Sequence, residues 1–319
     1  MLRFGAIFLV ATGLGVSACA QEPRPRNPFD TDILVDTFGY GPDTPSSVDL
    51  AELYQGCPRR DCIPSIDAPR YLAADSADFL ADDDLILGLN IAGDRRAFPI
   101  RILDYHEIVH DTIGGQAVIV TWCPLCGSGL AFDPVVDGEV VEFGVSGLLH
   151  NSDLVMYDRK TESLWQQITG EAILGDQLGN TLTLVPSTLT EWKTWREAHP
   201  ETLVLSPDTG FQRDYFGAPP YAGYEETDRL MFPTTRRDFS IPPKTVVFGF
   251  DLDGTTLAVQ EATLDERPEI AFEGSDQDWT IQRHGDGSVT ATTAEGQVHT
   301  AIRLFWFAWY NFNPDTQRL

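Results

Sequence analysis

The alternation of apolar and polar residues divides the chain into a short leader, a long strand-rich body and one well-marked helix. Residues 1–18 (MLRFGAIFLVATGLGVSA) place Arg3 ahead of an apolar run from Phe4 to Val16. That run is shorter than the roughly 20 residues a spanning helix needs, and its layout is that of an export signal. Val16-Ser17-Ala18-Cys19 then matches a bacterial lipobox, where cleavage falls before the cysteine and its thiol carries diacylglycerol. We expect a lipoprotein signal peptide over 1–18, lipidation at Cys19 and a polar, Pro-rich tether over 19–45. A single acylated residue anchors a protein to a membrane without spanning it. Ala20, and not Asp, follows Cys19, which in a Gram-negative host resembles sorting to the outer membrane facing the periplasm.

Regular alternation starts near Asp84. DLILGLNIAGDRRAFPIRIL reads as strand, turn at Ala92-Gly93-Asp94, then strand. YHEIVHD reads as a short helix or turn, QAVIVTW as a buried strand and CPLCGSG as a tight turn. Hairpins are expected about Asp137-Gly138 and across Asp158 to Thr161. Thr188 and Glu191 have capping-box spacing, Trp192 and Trp195 follow at i and i+3, and Pro200 stops that helix. Two stretches also resemble each other without a gap: Gly88 aligns with Gly249, Gly93 with Gly254, Ala97 with Ala258 and Leu103 with Leu264. The expected fold is α+β, β-rich and mainly antiparallel, with two related halves and a few short helices. The first half covers 46–180, a helical connection with the Arg-Asp-Tyr segment covers 181–240, and a second, partial repeat with an aromatic C-terminal segment covers 241–319. The second copy has no CxxC, so chemistry at Cys123 and Cys126 would belong to the first alone.

Charge narrows the partners. The chain of 319 residues holds 48 acidic and 22 basic residues, a net charge of −26, which repels nucleic acid and anionic headgroups. The expected membrane contact is the lipid anchor, and no nucleic-acid partner is expected. In an oxidising compartment disulfides are permitted. Four cysteines remain after Cys19, and the short polar loop CPRRDC favours pairing Cys57 with Cys62.

Three groups of residues could carry chemistry. His106-Glu107-Ile108-Val109-His110 matches HExxH, but the zinc-protease use of that pattern needs a sustained helix and a third ligand. Gly114-Gly115 ends any helix soon after His110, and Ile113 stands where the extended pattern has Gly. TWCPLCGSG brings Cys123 and Cys126 to the end of a buried strand. It reads as a metal knuckle completed by His106, as a thioredoxin-like redox pair, or as a structural dithiol closing a turn. A mixed Cys/His set suits zinc or copper. A polar cluster follows: Asn151, Ser152, Asp153, Tyr157, Asp158, Arg159, Glu162, Trp165 and Gln167, with Arg213, Asp214 and Tyr215 further on. Such residues serve hairpin turns and ion pairs, and as a group they could line a pocket.

At these blocks the chain resembles the exported bacterial proteins grouped as domain of unknown function 3179. The matching segments are RDCIPSIDAP, FPIRILDYHEIVHDTIGG, VIVTWCPLCGSGLAFD, FGVSGLLHNSDLVMYDRKTESLWQQ, EWKTWREAHPETLVLS, RDYFGAPPYAGY and FWFAWYNFNPDT, from about residue 60 to 316. The resemblance implies no specific activity. His110, His150 and Cys62 depart from the family pattern. His106, Glu107, Cys123, Cys126, Asn151, Asp153, Tyr157, Asp158, Arg159, Glu162, Trp165 and Gln167 fall on it. Three functions compete at this stage. The first is a metal-binding lipoprotein, with Cys123, Cys126 and His106 as zinc or copper ligands and Glu107 behind them. The second is a thiol–disulfide protein attacking through Cys123. The third is a non-catalytic envelope module that binds a ligand or partner through the polar cluster.

Overall fold

The computed structural model describes residues 32–274 and 277–319. The expected signal peptide, Cys19 and the expected tether up to residue 31 lie outside the described residues. The rest of the expected tether is not a tether. Helix α1 (Asp32–Asp36) buries Ile33 and Leu34, and Phe38 joins them in one cluster with Tyr157, Leu164 and Leu174. Apolar residues so close together gain more from burial than from staying in water. Among the described residues, no helix is long and apolar enough to cross a membrane.

Strands β1 (Leu53–Gln55) and β2 (Tyr71–Ala73) precede a first unit. It opens with the expected hairpin, β3 (Leu85–Ile91) and β4 (Asp94–Pro99). Both turn residues, Ala92 and Gly93, take positive φ (51° and 85°), the backbone whose twist suits a two-residue hairpin loop. Helix α2 (Ile100–Leu103) leads into an antiparallel run of β5 (Ile108–Ile113), β6 (Gln116–Cys123) and β7 (Ser128–Asp133). An excursion follows over 134–182. It holds β8 (Val135–Val136), β9 (Glu139–Val140), β10 (Phe143–His150), β11 (Asp153–Asp158), β12 (Leu164–Gln166) and β13 (Ala172–Leu174). The chain then returns to the first unit. β14 (Thr183–Val185) pairs with β7, and β15 (Thr188–Glu191) pairs with β3. Helix α3 (Trp192–Ala198) follows, and β16 (Leu203–Leu205) adds parallel to β4. The expected capping box does not form. Thr188 to Glu191 are drawn into the strand against β3, and Glu191 caps α3 without a side-chain hydrogen bond.

The second unit repeats this plan in order: β17 (Val246–Leu252), β18 (Thr255–Gln260), α4 (Glu261–Glu266), β19 (Glu269–Glu273), β20 (Asp278–Arg283), β21 (Val289–Thr292), β22 (Val298–Thr300), β23 (Ile302–Phe305), α5 (Trp306–Phe312) and β24 (Gln317–Arg318). The sheet orders β15-β3-β4-β16 and β14-β7-β6-β5 recur as β23-β17-β18-β24 and β22-β21-β20-β19. Registers recur too. Gly88 faces Ala97 and Gly249 faces Ala258, while Thr188 faces Gly88 and Ile302 faces Gly249. Over the two glycines lie Trp195 and Trp309, and a Cβ at either position would overlap the indole. Their Nε1 atoms donate to Thr202 and Thr316 at 3.1 and 2.9 Å. The second copy is therefore complete and not partial, and 183–205, expected as a connection, closes the first. What the second unit lacks is the excursion, whose five-stranded sheet β1-β10-β11-β12-β13 has no counterpart among the described residues.

Candidate functional site

The site forms where the β6–β7 turn of the first unit meets the excursion. Cys123 ends β6, and the Cys126 N–H donates back to the Cys123 carbonyl at 3.2 Å. Gly127 follows with φ 59° and the Phe305 ring against it, 2.9 Å from where a Cβ would stand, so only glycine fits there. The Phe305 N–H donates to the Cys126 carbonyl at 2.9 Å. Both cysteines are buried, and neither is disulfide-bonded. Opposite them the β10–β11 turn holds Asn151 and Ser152 at φ 53° and 64°. Such left-handed conformations cost about 1–3 kcal/mol each and persist only where the surroundings hold them. Here the surroundings do so. Asn151 Oδ1 accepts from the Thr235 N–H at 2.7 Å, and Ser152 Oγ donates to the Phe232 carbonyl at 2.8 Å. The Ser152 carbonyl thereby faces both sulfurs, Cys123 at 3.7 Å and Cys126 at 3.5 Å.

Next in the chain is Asp153, fully buried. Its Oδ2 accepts from Gln166 Nε2 at 2.5 Å and from the Ile168 N–H at 3.0 Å. Its Oδ1 meets no N–H or hydroxyl donor. Burial pushes this carboxyl up to about 6, against the opposing pull of Gln166, the Ile168 N–H and the two thiols. One ligand atom from each of Cys123, Cys126 and Asp153 lies within 4.8 Å of the other two. Burial also raises both thiols, Cys126 most.

Glu107 adds a second buried carboxyl. Its backbone is left-handed (φ 57°), fixed by its N–H on the Leu103 carbonyl and by the Trp122 N–H on its own carbonyl. Burial, with Asp104 and Asp153 nearby, pushes it up to about 8, and a hydrogen bond from Tyr221 opposes that rise. Glu107, Cys123 and Tyr221 line a cavity of about 260 Å3 whose other walls include Val145, Leu149 and Phe232.

His106 is directed elsewhere, which removes it from the expected ligand set. Nδ1 meets the Pro64 carbonyl at 2.8 Å, so it carries the proton, and Nε2 at 2.6 Å accepts from the Tyr215 hydroxyl. Burial lowers this imidazole and keeps that neutral tautomer. His110 reaches Asp67 and the Phe143 N–H, so the HExxH imidazoles do not converge, and His106-Glu107 forms the turn between α2 and β5. His150 binds Gln166, the residue that holds Asp153.

The polar cluster divides. Asn151 and Asp153 stand at the thiols. Gln167 lies behind β6, bonded to Thr121 and Ser128. Tyr157, Arg159 and Glu162 tie the 60–67 segment to the excursion through Asp61, Asp67 and Arg60. Asp158 closes its own turn on Thr161 and anchors Trp165 Nε1 at 3.0 Å. Arg213 and Asp214 are exposed, and Asp214 caps the Phe216 and Gly217 N–H groups. The Cys57–Cys62 disulfide forms, and Cys57 lines the cavity. Tyr221, Met231 and Phe232 went unrecognised in the sequence. Tyr221 sits in the APPYAGY block, which carries no periodicity to direct attention to it, and the other two follow in irregular chain. Comparison with curated proteins and with solved structures finds no match. The family described as "Protein of unknown function (DUF3179)" matches residues 60–303, from the first unit through most of the second and including Glu107, Cys123, Cys126 and Asp153, and the chain belongs to that family.

Proposed function

We propose that this protein is an exported lipoprotein, anchored through Cys19 in the cell envelope, that holds one zinc or copper ion with Cys123, Cys126 and Asp153. The observation that carries this reading is the convergence of Cys123, Cys126 and Asp153, whose ligand atoms lie within 4.8 Å of one another. Asp153 Oδ1 meets no N–H or hydroxyl donor, and a buried carboxylate oxygen so placed costs free energy that a cation would recover. Zn–S and Zn–O bonds of about 2.3 and 2.0–2.2 Å draw such a trio together with a small contraction. Thiolates favour zinc and Cu(I) over harder ions. The ion would displace the thiol protons, so the raised thiols are compatible with binding that strengthens with pH. Three protein ligands beside a cavity also suit a centre that keeps one position for an exogenous group. Glu107, on the same cavity, stands where a neighbouring acid would sit.

Thiol–disulfide exchange is the second reading. It is favoured by the Cys57–Cys62 disulfide and Cys123 lining one cavity. Against it, exchange needs a thiolate, and burial holds both thiols protonated at neutral pH.

Elemental analysis of protein exported to the periplasm and purified without chelator, with a thiol count on the same sample, separates the two. The metal reading expects about one zinc or copper per chain, lost in Cys126→Ser and in Asp153→Asn. Metal content unchanged by both variants overturns it. The exchange reading expects no metal and a Cys123–Cys126 disulfide reduced by mild dithiothreitol. Palmitate labelling that survives Cys19→Ala would refute the anchor.

A further inference from the structure

We propose that the cavity beside Cys123 binds a small uncharged amphiphile, an apolar body with one neutral hydrogen-bonding head set against Glu107 and Tyr221. Binding of this kind goes beyond the metal reading and does not depend on it, since Cys123 lines the cavity but Cys126 and Asp153 do not.

Volume sets the size of the ligand. A dry apolar cavity of about 150 Å3 takes benzene, so about 260 Å3 admits roughly ten non-hydrogen atoms by proportion. The walls set its body. Ile63, Val145, Leu149, Leu154, Met231 and Phe232 offer hydrocarbon and sulfur on several sides. The register of β10 shifts between Val145 and Leu148, and Gly147 there takes φ 85°. A strand that alternates strictly sends every second residue away. This bulge breaks the alternation, so Val145, Gly147, Leu148 and Leu149 all line the cavity. Such bulges recur beside binding sites because they re-aim side chains.

The polar lining sets the head group. Glu107 and Tyr221 face the same space. An incoming amide or alcohol can exchange hydrogen bonds with that pair at no cost in buried charge. A carboxylate head would be desolvated beside Glu107 on a chain of net charge −26. An ammonium head would give up its water inside a cavity lined mostly by apolar side chains. The mouth is marked by Met231, which lines the cavity yet is 47% exposed. An unbranched thioether there adapts to ligands of different shape.

The test uses the full chain labelled with 13C-methyl methionine, titrated at pH 7 with hexanamide, hexanoate and hexylamine. Hexanamide is expected to shift the Met231 methyl signal saturably. Hexanoate and hexylammonium should bind at least ten times more weakly. Leu149→Trp, which fills the cavity from its wall, should abolish the shift, and Ile63→Phe gives a second filling variant should the first not fold. Cys126→Ser should keep the shift while losing metal, so failure of the metal reading and failure of this one are told apart. No saturable Met231 shift with hexanamide, equal binding of a charged probe, or a shift undiminished in a folded cavity-filling variant overturns the proposal.

Discussion

The two units carry a turn at the same place in the sheet and use it differently. After β6 it reads Cys-Pro-Leu-Cys-Gly; after β20 it reads His-Gly-Asp-Gly. The second turn satisfies itself. The His284 N–H reaches the Ser288 carbonyl at 2.8 Å, the Gly287 N–H reaches His284 at 3.0 Å, and Asp286 Oδ1 takes the Ser288 N–H and hydroxyl. The first is buried, and the excursion and the 221–232 segment lie against it. Strand pairing is shared between the copies, so it cannot be what makes the site. The site comes from the excursion, which brings Ser152 and Asp153 to a turn that would otherwise face water.

The contrast is most sharply broken by metal content. Cys123→Ser is expected to take metal from about one per chain to near zero, and His284→Ala to leave it unchanged. Retention of metal in the first, or its loss in the second, breaks the asymmetry. Next in size is the shared scaffold. Gly88→Ala and Gly249→Ala each force a methyl into a buried indole, and overpacking of that kind costs about 1–3 kcal/mol. Urea denaturation should give similar losses at the two positions, and a loss at only one would show that the units are not equivalent.

Lys244 tests the connection between the units. Its ammonium donates to the carbonyls of Tyr224, Thr227 and Arg229 at 2.5, 2.7 and 2.9 Å and lies 3.3 Å from the centroid of the Tyr224 ring. Lys244→Met leaves those carbonyls without their donor, at about 1–3 kcal/mol. Amide exchange should quicken over 224–232 and stay unchanged over 278–305. The smallest effect is that of pH. Burial alone would raise Asp67, but hydrogen bonds from His110 and Arg159 hold it at about 2, below the roughly 3.9 of an unfolded Asp. A lowered carboxyl contributes stability above about pH 4 that is lost as pH falls toward 2. Asp67→Asn should flatten that part of the stability profile, and an unchanged profile would remove Asp67 as its source.

The hairpins were legible in the sequence because their signals are local. Ala92-Gly93 and Asp253-Gly254 announce the turns, and Gly88 and Gly249 announce the repeat. The second half of that repeat was not legible. Trp195 and Trp309 pair with glycines more than 50 residues away, and Thr188 looked like a cap because no local pattern reveals pairing with β3. For the same reason His106 was chosen as a ligand over Asp153. Its closeness to the CxxC in sequence said nothing of Pro64 and Tyr215, which claim its ring. Asp153 was recognised only as one polar residue among many, since its convergence with two sulfurs is a property of packing.

Phe305 gives the site a history. It packs on Gly127 and bonds the Cys126 carbonyl, yet it lies 179 residues downstream of that cysteine. A chain synthesised from its N-terminus delivers both sulfurs long before it delivers their seal. The interval before Phe305 arrives is then the time when an oxidant or an ion can reach them most easily, and pairing of β23 with β17 closes that interval.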